Sequence, residues 1–326
     1  MNKKVYVSTR NKNGGIYVFN IENSQLIQTQ FVPVDSPMYT IIDNNKLYTI
    51  LRAPFDDKNS WVISFDIDEN GHLCNRKEVS STLGECGCHI YVERDDIYVA
   101  NYISGNIIKC PDKLIQHKDI NGTKEPHPHF VGKTPDGKYL LVTDLGLDKI
   151  FIYDKELNLH NSVDLNNGAG PRHLTFSDDG KICYCINELN STVSVLEYSD
   201  GNLNLLESYS TLPQNFNNES YAAAIRVHNG YVYISNRGHN SIACFKIIGN
   251  TLKLESITSC EGDFPRDINI CENLLFSANQ KDGTLTIFEI ENNINLKLVQ
   301  TIEIADALCV TVNSLHRKPI CNFSYI

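Results

Sequence analysis

Residues 168–198 read Gly-Ala-Gly-Pro-Arg-His-Leu-Thr-Phe-Ser-Asp-Asp-Gly-Lys-Ile-Cys-Tyr-Cys-Ile-Asn-Glu-Leu-Asn-Ser-Thr-Val-Ser-Val-Leu-Glu-Tyr, and their turn residues decide the fold. A Gly-Pro entry leads into a first apolar run ending at Phe176. The Asp178-Asp179-Gly180 turn sends the chain back through Ile182-Cys-Tyr-Cys-Ile. An Asn187-Glu188-Leu189 corner then precedes a third run beginning at Thr192. Short runs rich in Ile, Val, Tyr and Phe, bounded by Asn, Asp and Gly, read as antiparallel strands joined by tight turns.

The unit recurs along the chain. Its turn and second strand return as Pro135-Asp-Gly-Lys-Tyr-Leu-Leu-Val-Thr-Asp, His228-Asn-Gly-Tyr-Val-Tyr-Ile-Ser-Asn and Cys271-Glu-Asn-Leu-Leu-Phe-Ser-Ala-Asn. Earlier copies are Asp43-Asn-Asn-Lys-Leu-Tyr-Thr-Ile and Arg94-Asp-Asp-Ile-Tyr-Val-Ala-Asn. Pro37, Pro128, Pro171 and Pro265 share one repeat position, and their spacing implies a period of about 45 residues, the length of a propeller blade. No segment sustains a helical period, so the chain is all-β. The last copy, Ala307-Leu-Cys-Val-Thr-Val, supplies only a first strand, and the opening copy at Lys4-Val-Tyr-Val-Ser-Thr lacks one. Joined, they complete a blade and remove two open edges. The expectation is a seven-bladed β-propeller of four-stranded antiparallel blades. It forms a single domain over 1–326, with residues 314–326 outside the repeat.

The 326 residues carry a net charge of −10, which argues against nucleic acid or an anionic membrane as the main partner. An anionic ligand would need positive charge concentrated locally against that field. The amino-terminal Met-Asn-Lys-Lys leads straight into a strand-like run, with no signal-peptide pattern. The eleven cysteines are scattered through strand segments. Cys183 and Cys185 fall on one strand face, and Cys86 and Cys88 are too close for the usual zinc spacing. The cysteines read as small buried hydrophobes, and free thiols in such number suit a reducing cytoplasm.

A site can be located by comparing the copies. In an antiparallel pair, the start of the first strand and the end of the second lie on the same face of the disc, around one mouth of the channel. The residue ending the second strand is Asn101, Asp144, Asn187, Asn236 or Asn279, a repeated short polar side chain that reads as a turn-closing device. The residue after it changes every time: Tyr102, Leu145, Glu188, Arg237 and Gln280. After the first-strand proline stand Met38, His129, Arg172 and Arg266, with His89 read at the matching place in the third blade. Repeated positions hold the fold, and varied ones are free to specialise. Glu188, Arg237, His129, Arg172 and Arg266 therefore form the candidate site, with His89, Asn101 and His173 close by. Taken singly, an Arg at a blade corner often pairs with a neighbouring carboxylate, and His173 reads equally as a channel-wall residue. Sequence-distant blades supplying one rim make the set harder to dismiss. Nothing in the spacing of His89, His129, His173 and Glu188 demands a metal, and no cofactor is expected.

At these residues the chain resembles the seven-bladed propeller lactonases, typified by bacterial 6-phosphogluconolactonases. The resemblance rests on Gly168-Ala-Gly-Pro-Arg-His, Cys185-Ile-Asn-Glu-Leu-Asn-Ser-Thr-Val, Pro126-His-Pro-His and Ser235-Asn-Arg-Gly-His-Asn-Ser-Ile. The carboxy-cis,cis-muconate lactonizing enzymes look similar. Their proposed active residues, carried over by motif, fall on His129, Arg172, Glu188 and Arg237. The resemblance implies hydrolysis of 6-phospho-D-glucono-1,5-lactone in the pentose phosphate pathway, and the comparison of copies adds Arg266, His173, Asn101 and His89 as expected substrate contacts. Glu188 or His129 would be the base, and Arg172 and Arg237 would hold the anionic end. The sequence departs from the family at Ser220-Tyr-Ala-Ala-Ala, where relatives can carry a charge, and at the irregular Arg52-Ala-Pro-Phe-Asp-Asp. A muconate-type lactonizing enzyme and a non-enzymatic binding scaffold are the alternatives.

Overall fold

The computed structural model describes residues 3–11, 13–52 and 58–313. Residues 53–57, in the irregular second-blade corner, and the tail from 314 lie outside it.

Its strands form seven separate four-stranded antiparallel sheets arranged as a propeller. Six sheets are built from consecutive strands, and the seventh pairs Ala307–Asn313 with Lys4–Thr9, Val7 opposite Val310. The shared blade expected from the incomplete terminal copies is present. Numbering it blade 1, blade 3 opens with Gly87–Glu93, blade 4 with Pro128–Lys133, blade 5 with Pro171–Phe176, blade 6 with Tyr221–His228 and blade 7 with Pro265–Cys271.

The core is seven layers rather than one. In the second strand of blade 5, Ile182, Tyr184 and Ile186 pack with Ala222, Ile225 and Val232 of blade 6. Cys183 and Cys185 point the other way, against Leu141 and Ile150 of blade 4. Period-two alternation thus feeds two interfaces at once, which is why these strands read as almost continuous apolar runs. The blade 7 and blade 1 interface, with Phe276 and Ile287 against Val5 and Val7, closes the ring. The ten described cysteines are all free thiols.

The repeated corner residues are fully buried and hold the blades. Asn187 Nδ2 donates to Thr192 Oγ1 and Ser194 Oγ, both at 2.8 Å. Asp144 accepts the backbone N–H groups of His127 (2.8 Å) and Leu147 (3.0 Å) through Oδ1. Asn101 Nδ2 is spent in the same way, donating to Thr82 O and Asn106 Oδ1 at 2.9 and 2.8 Å. That makes Asn101 a corner residue of blade 3, with its buried Oδ1 left without a partner.

Candidate functional site

A β-bulge recurs at the same place in every blade and aims one side chain into the mouth. Pro171 pairs with Asn187 and His173 with Ile186, leaving Arg172 as the extra residue. Likewise Pro128 pairs with Asp144 and Phe130 with Thr143, leaving out His129. Pro265 pairs with Asn279 and Asp267 with Ala278, leaving out Arg266. A bulge of this kind bends the strand and re-aims the extra side chain. In blade 3 Gly87 pairs with Asn101 and His89 with Ala100, so Cys88, not His89, holds the bulge position. His89 belongs one step deeper, level with His173. Counting from proline misplaced it because blade 3 has Gly87 in the proline's place.

The Gly168-Ala-Gly-Pro entry is tailored to present Arg172. Asp148 accepts the backbone N–H groups of Gly168 (2.9 Å) and Gly170 (2.7 Å). Gly170 sits at φ +64°, where a Cβ would lie 2.5 Å from Leu189 Cγ. Only glycine fits there. Glu188 is set from the facing corner, its N–H donating to Gly170 O at 2.7 Å.

Three blades then converge. Arg237 Nη2 lies 2.7 Å from Glu188 Oε2, and Arg172 Nε lies 3.0 Å from the same oxygen. The second contact is an ion pair without hydrogen-bond alignment, since Arg172 Nε has no hydrogen-bond acceptor. Arg172 Nη1 donates to Ala223 O of blade 6 at 2.5 Å. Arg237 Nε donates to Tyr221 O at 3.1 Å, and its guanidinium lies 5.2 Å from the centre of the Phe264 ring. Arg266 of blade 7 lines the same cleft as Arg172 and His173.

Below the arginines lies a stack of imidazoles. The rings of His129 and His173 stand 5.2 Å apart, as do those of His173 and His89. His89 leans on Tyr39 at 4.3 Å and forms part of the wall of a cavity of about 490 Å³ at the other end of the channel. His129 contacts Tyr102 edge-on, and its buried Nδ1 has no hydrogen-bond partner. Tyr102 stacks on His127, whose Nδ1 is 3.0 Å from Tyr102 O. A buried ion pair, Arg226 Nη2 to Asp267 Oδ1 at 2.9 Å, lies deeper.

The electrostatics follow from burial and crowding. Three guanidinium groups meet one carboxylate, a local positive charge in an acidic chain. Burial and the neighbouring Arg237 pull the Arg172 guanidinium down to about 10. Burial and Arg172 do the same to Arg266. Burial alone would raise the Glu188 carboxyl, but Arg237, Arg172 and Arg266 together hold it below its ordinary value. Burial and the arginines hold His129 and His173 well below theirs. Burial, Arg226 and Arg172 bring His89 to about 3. All three imidazoles are neutral at pH 7. Among the described residues no group of three or more His, Cys, Asp or Glu side chains is arranged to hold a metal.

The structure therefore brings Glu188, Arg172 and Arg237 into contact and sets Arg266, His129 and His173 around them. It sets His89 one step deeper than His129, level with His173, and gives Asn101 the hydrogen bonds of a blade corner. Tyr102 stands at the varied position that Glu188 and Arg237 occupy in their blades, so the repeat comparison carried its signal. Phe264, Tyr39 and the Arg226–Asp267 pair have no such signal, because their importance lies in contacts between blades.

Such a mouth can hold an anion, stabilise an oxyanion and accept a proton. Residues 4–312 match the family model described as Lactonase, 7-bladed beta-propeller. An uncharacterized Staphylococcus aureus (strain USA300) protein is 36% identical, the match covering 85% of this chain and 90% of its own. A Lactobacillus plantarum protein of solved structure superposes with a TM-score of 0.84 at 26% identity, over 96% of this chain and 99% of that one. A Bacteroides fragilis protein put forward as a 6-phosphogluconolactonase gives 0.82 at 27%, over 95% and 98%.

Proposed function

Since the chain belongs to the seven-bladed β-propeller lactonase family, we propose that this mouth hydrolyses the lactone of a sugar acid, with 6-phospho-D-glucono-1,5-lactone as the substrate. The observation that carries the reading is the junction of Arg172 and Arg237 on Glu188 Oε2, with Arg266 beside it. A scaffold that only binds partners has no need to gather two buried guanidinium groups and a third half-buried one about a single carboxylate, an arrangement expensive in desolvation.

Opening a lactone requires water made nucleophilic, donors for the oxyanion and a proton for the departing ring oxygen. Glu188 is a weak base while two guanidiniums clamp it, and its first task is to hold them in place. His129 has a buried Nδ1 without a partner and is neutral. Its basicity is suppressed partly by the arginines, so an anionic substrate that screens them raises it. In this scheme His129 takes a proton from water as the oxygen attacks the carbonyl carbon, and Arg172 stabilises the oxyanion. As the tetrahedral centre collapses, the C–O bond to the ring oxygen breaks and the histidinium returns the proton to it. Water is consumed, and the products are a carboxylate, a hydroxyl and one released proton.

The test is to follow 6-phosphogluconolactone loss against its spontaneous hydrolysis, wild type beside Arg172→Ala. Acceleration by the wild type that Arg172→Ala abolishes supports the reading. No acceleration by the wild type removes it, and turnover of a muconate instead reassigns the mouth to lactonizing chemistry.

A further inference from the structure

Arg172 and Arg237 are engaged before any ligand arrives. Each pairs with Glu188, and each donates to a backbone carbonyl, Ala223 and Tyr221 respectively. Arg266 is different. Among the described residues its guanidinium makes no hydrogen bond and no ion pair. Three of the four oxygens on the nearby carboxylates Asp267 and Glu188 are engaged. Asp267, its chain neighbour, spends Oδ1 on Arg226 (2.9 Å) and Oδ2 on the backbone N–H of Val310 (2.9 Å). Glu188 Oε2 is taken by the other two arginines.

Arg266 nevertheless lies in the cleft lined by Arg172, His173, Met38 and Leu308. A second cation lies close by: the positive charge of Arg10 acts on Arg266. Arg10 follows the strand Lys4–Thr9 in blade 1, exposed on the rim, and its backbone N–H is held at 3.1 Å by Asp306 O. Two residues before Arg266 comes Phe264, held at φ +68° with its N–H on Asn240 Oδ1 (2.9 Å). That ring is flanked by Arg237 and by Lys281, whose Nζ is 4.1 Å from its centre. A bulky residue in the left-handed region is a costly placement, and here it sets an aromatic ring between two cations. Like charges crowded without a bonded counter-ion are relieved by an anion, and a guanidinium fork suits a phosphate.

We propose that Arg266, assisted by Arg10, seats the anionic substituent of the substrate and so decides that a phosphorylated lactone is preferred over a neutral one. This rests on the lactonase reading above and changes one part of the sequence-based expectation, which gave the anionic end to Arg172 and Arg237. The orientation follows from the order of blades. His129 and Glu188 are in blades 4 and 5, and Arg266 and Arg10 are in blades 7 and 1. A substrate spanning the mouth therefore places its carbonyl near Glu188 and its phosphate on the opposite arc. Arg172 and Arg237 are left for the reacting carbonyl.

The experiment compares kcat and KM for 6-phosphogluconolactone and for neutral glucono-1,5-lactone in wild type, Arg266→Gln and Arg10→Gln, each checked for native circular dichroism. Arg266→Gln is expected to lower the ratio of kcat/KM for the phosphorylated over the neutral lactone at least tenfold, chiefly through KM. Arg10→Gln should shift it the same way by a smaller factor. Arg266→Lys, which keeps the charge but loses the fork, should fall between and serves if the glutamine variant fails to fold. An equal loss of kcat on both lactones would place Arg266 at the reacting carbonyl and overturn the proposal, as would an unchanged ratio. Should the wild type hydrolyse neither lactone, the lactonase reading fails on its own. Calorimetric titration with inorganic phosphate then decides the seat: binding lost in Arg266→Gln upholds it, and equal or absent binding in the wild type overturns it.

Discussion

Arg237 Nη2 and Glu188 Oε2 meet at 2.7 Å across the boundary between blades 6 and 5. The same oxygen receives Arg172 at 3.0 Å, so one carboxylate orients two guanidiniums that would otherwise repel. Everything proposed for this mouth depends on that junction.

Glu188→Gln keeps the shape of the side chain and removes its charge. Two buried arginines then face each other uncompensated, and breaking such a pair costs about 3–5 kcal/mol. The expected result is a folded protein with a clearly lower Tm and, as the oxyanion donors lose their anchor, lactone hydrolysis reduced about 10²–10³-fold. Wild-type rates in this variant, measured with 6-phosphogluconolactone at neutral pH, would take Glu188 out of the mechanism.

Arg172→Lys tests the fork rather than the charge. An ammonium cannot reach Glu188 and Ala223 O together as the guanidinium does, so the substitution is not conservative here. Activity should fall at least tenfold with little change in thermal unfolding. Retained activity would show that a point charge suffices at this position.

Gly170→Ala places a methyl 2.5 Å from Leu189 Cγ at φ +64°. Two penalties add, a left-handed conformation and a clash, for a loss of about 1–3 kcal/mol. Arg172 lies two residues on, so kcat should fall as well. A denaturant titration giving wild-type stability would contradict the close approach.

The histidine stack makes a prediction about pH. His89, His129 and His173 are all held below the ordinary histidine value in the folded protein, while the unfolded chain protonates them near 6.5. Below that pH the unfolded state binds more protons, so stability is complete above about 6.5 and falls as the pH drops towards the folded-state values. For His89, at about 3 when folded, the loss at pH 5 is about 2 kcal/mol, at ~1.4 kcal/mol per pH unit. A Tm series from pH 7.5 to 5 should fall, and His89→Phe should make the fall shallower without abolishing it, since His129 and His173 remain. A flat wild-type series would mean the stack protonates without resistance.

The blades were legible because repetition states them six times over. The turn after the first strand, the apolar second strand and its terminal Asn or Asp recur, so one copy interprets the next. The specialised residues were legible for the complementary reason, since Glu188, Arg172, Arg237, His129 and Arg266 break a pattern that is otherwise kept. His89 was misplaced because a bulge adds a residue without leaving any mark on alternation, and Gly87 hid the landmark proline. Asn101 matches the corner residues in type and position, and its side-chain N–H groups make the corner's hydrogen bonds.

The chain itself determined the period, the strand edges, the seam joining both termini and the residues that stand at one mouth. All of these follow from local turn chemistry and two-residue alternation. Closure of the ring decided the rest. Whether Glu188 touches one arginine or two, which guanidinium has no partner among the described residues and which imidazole lies deepest are matters of distance between different blades. No spacing along the chain encodes those distances. They arise where seven bulges, each bending its own strand, turn their side chains toward a common axis.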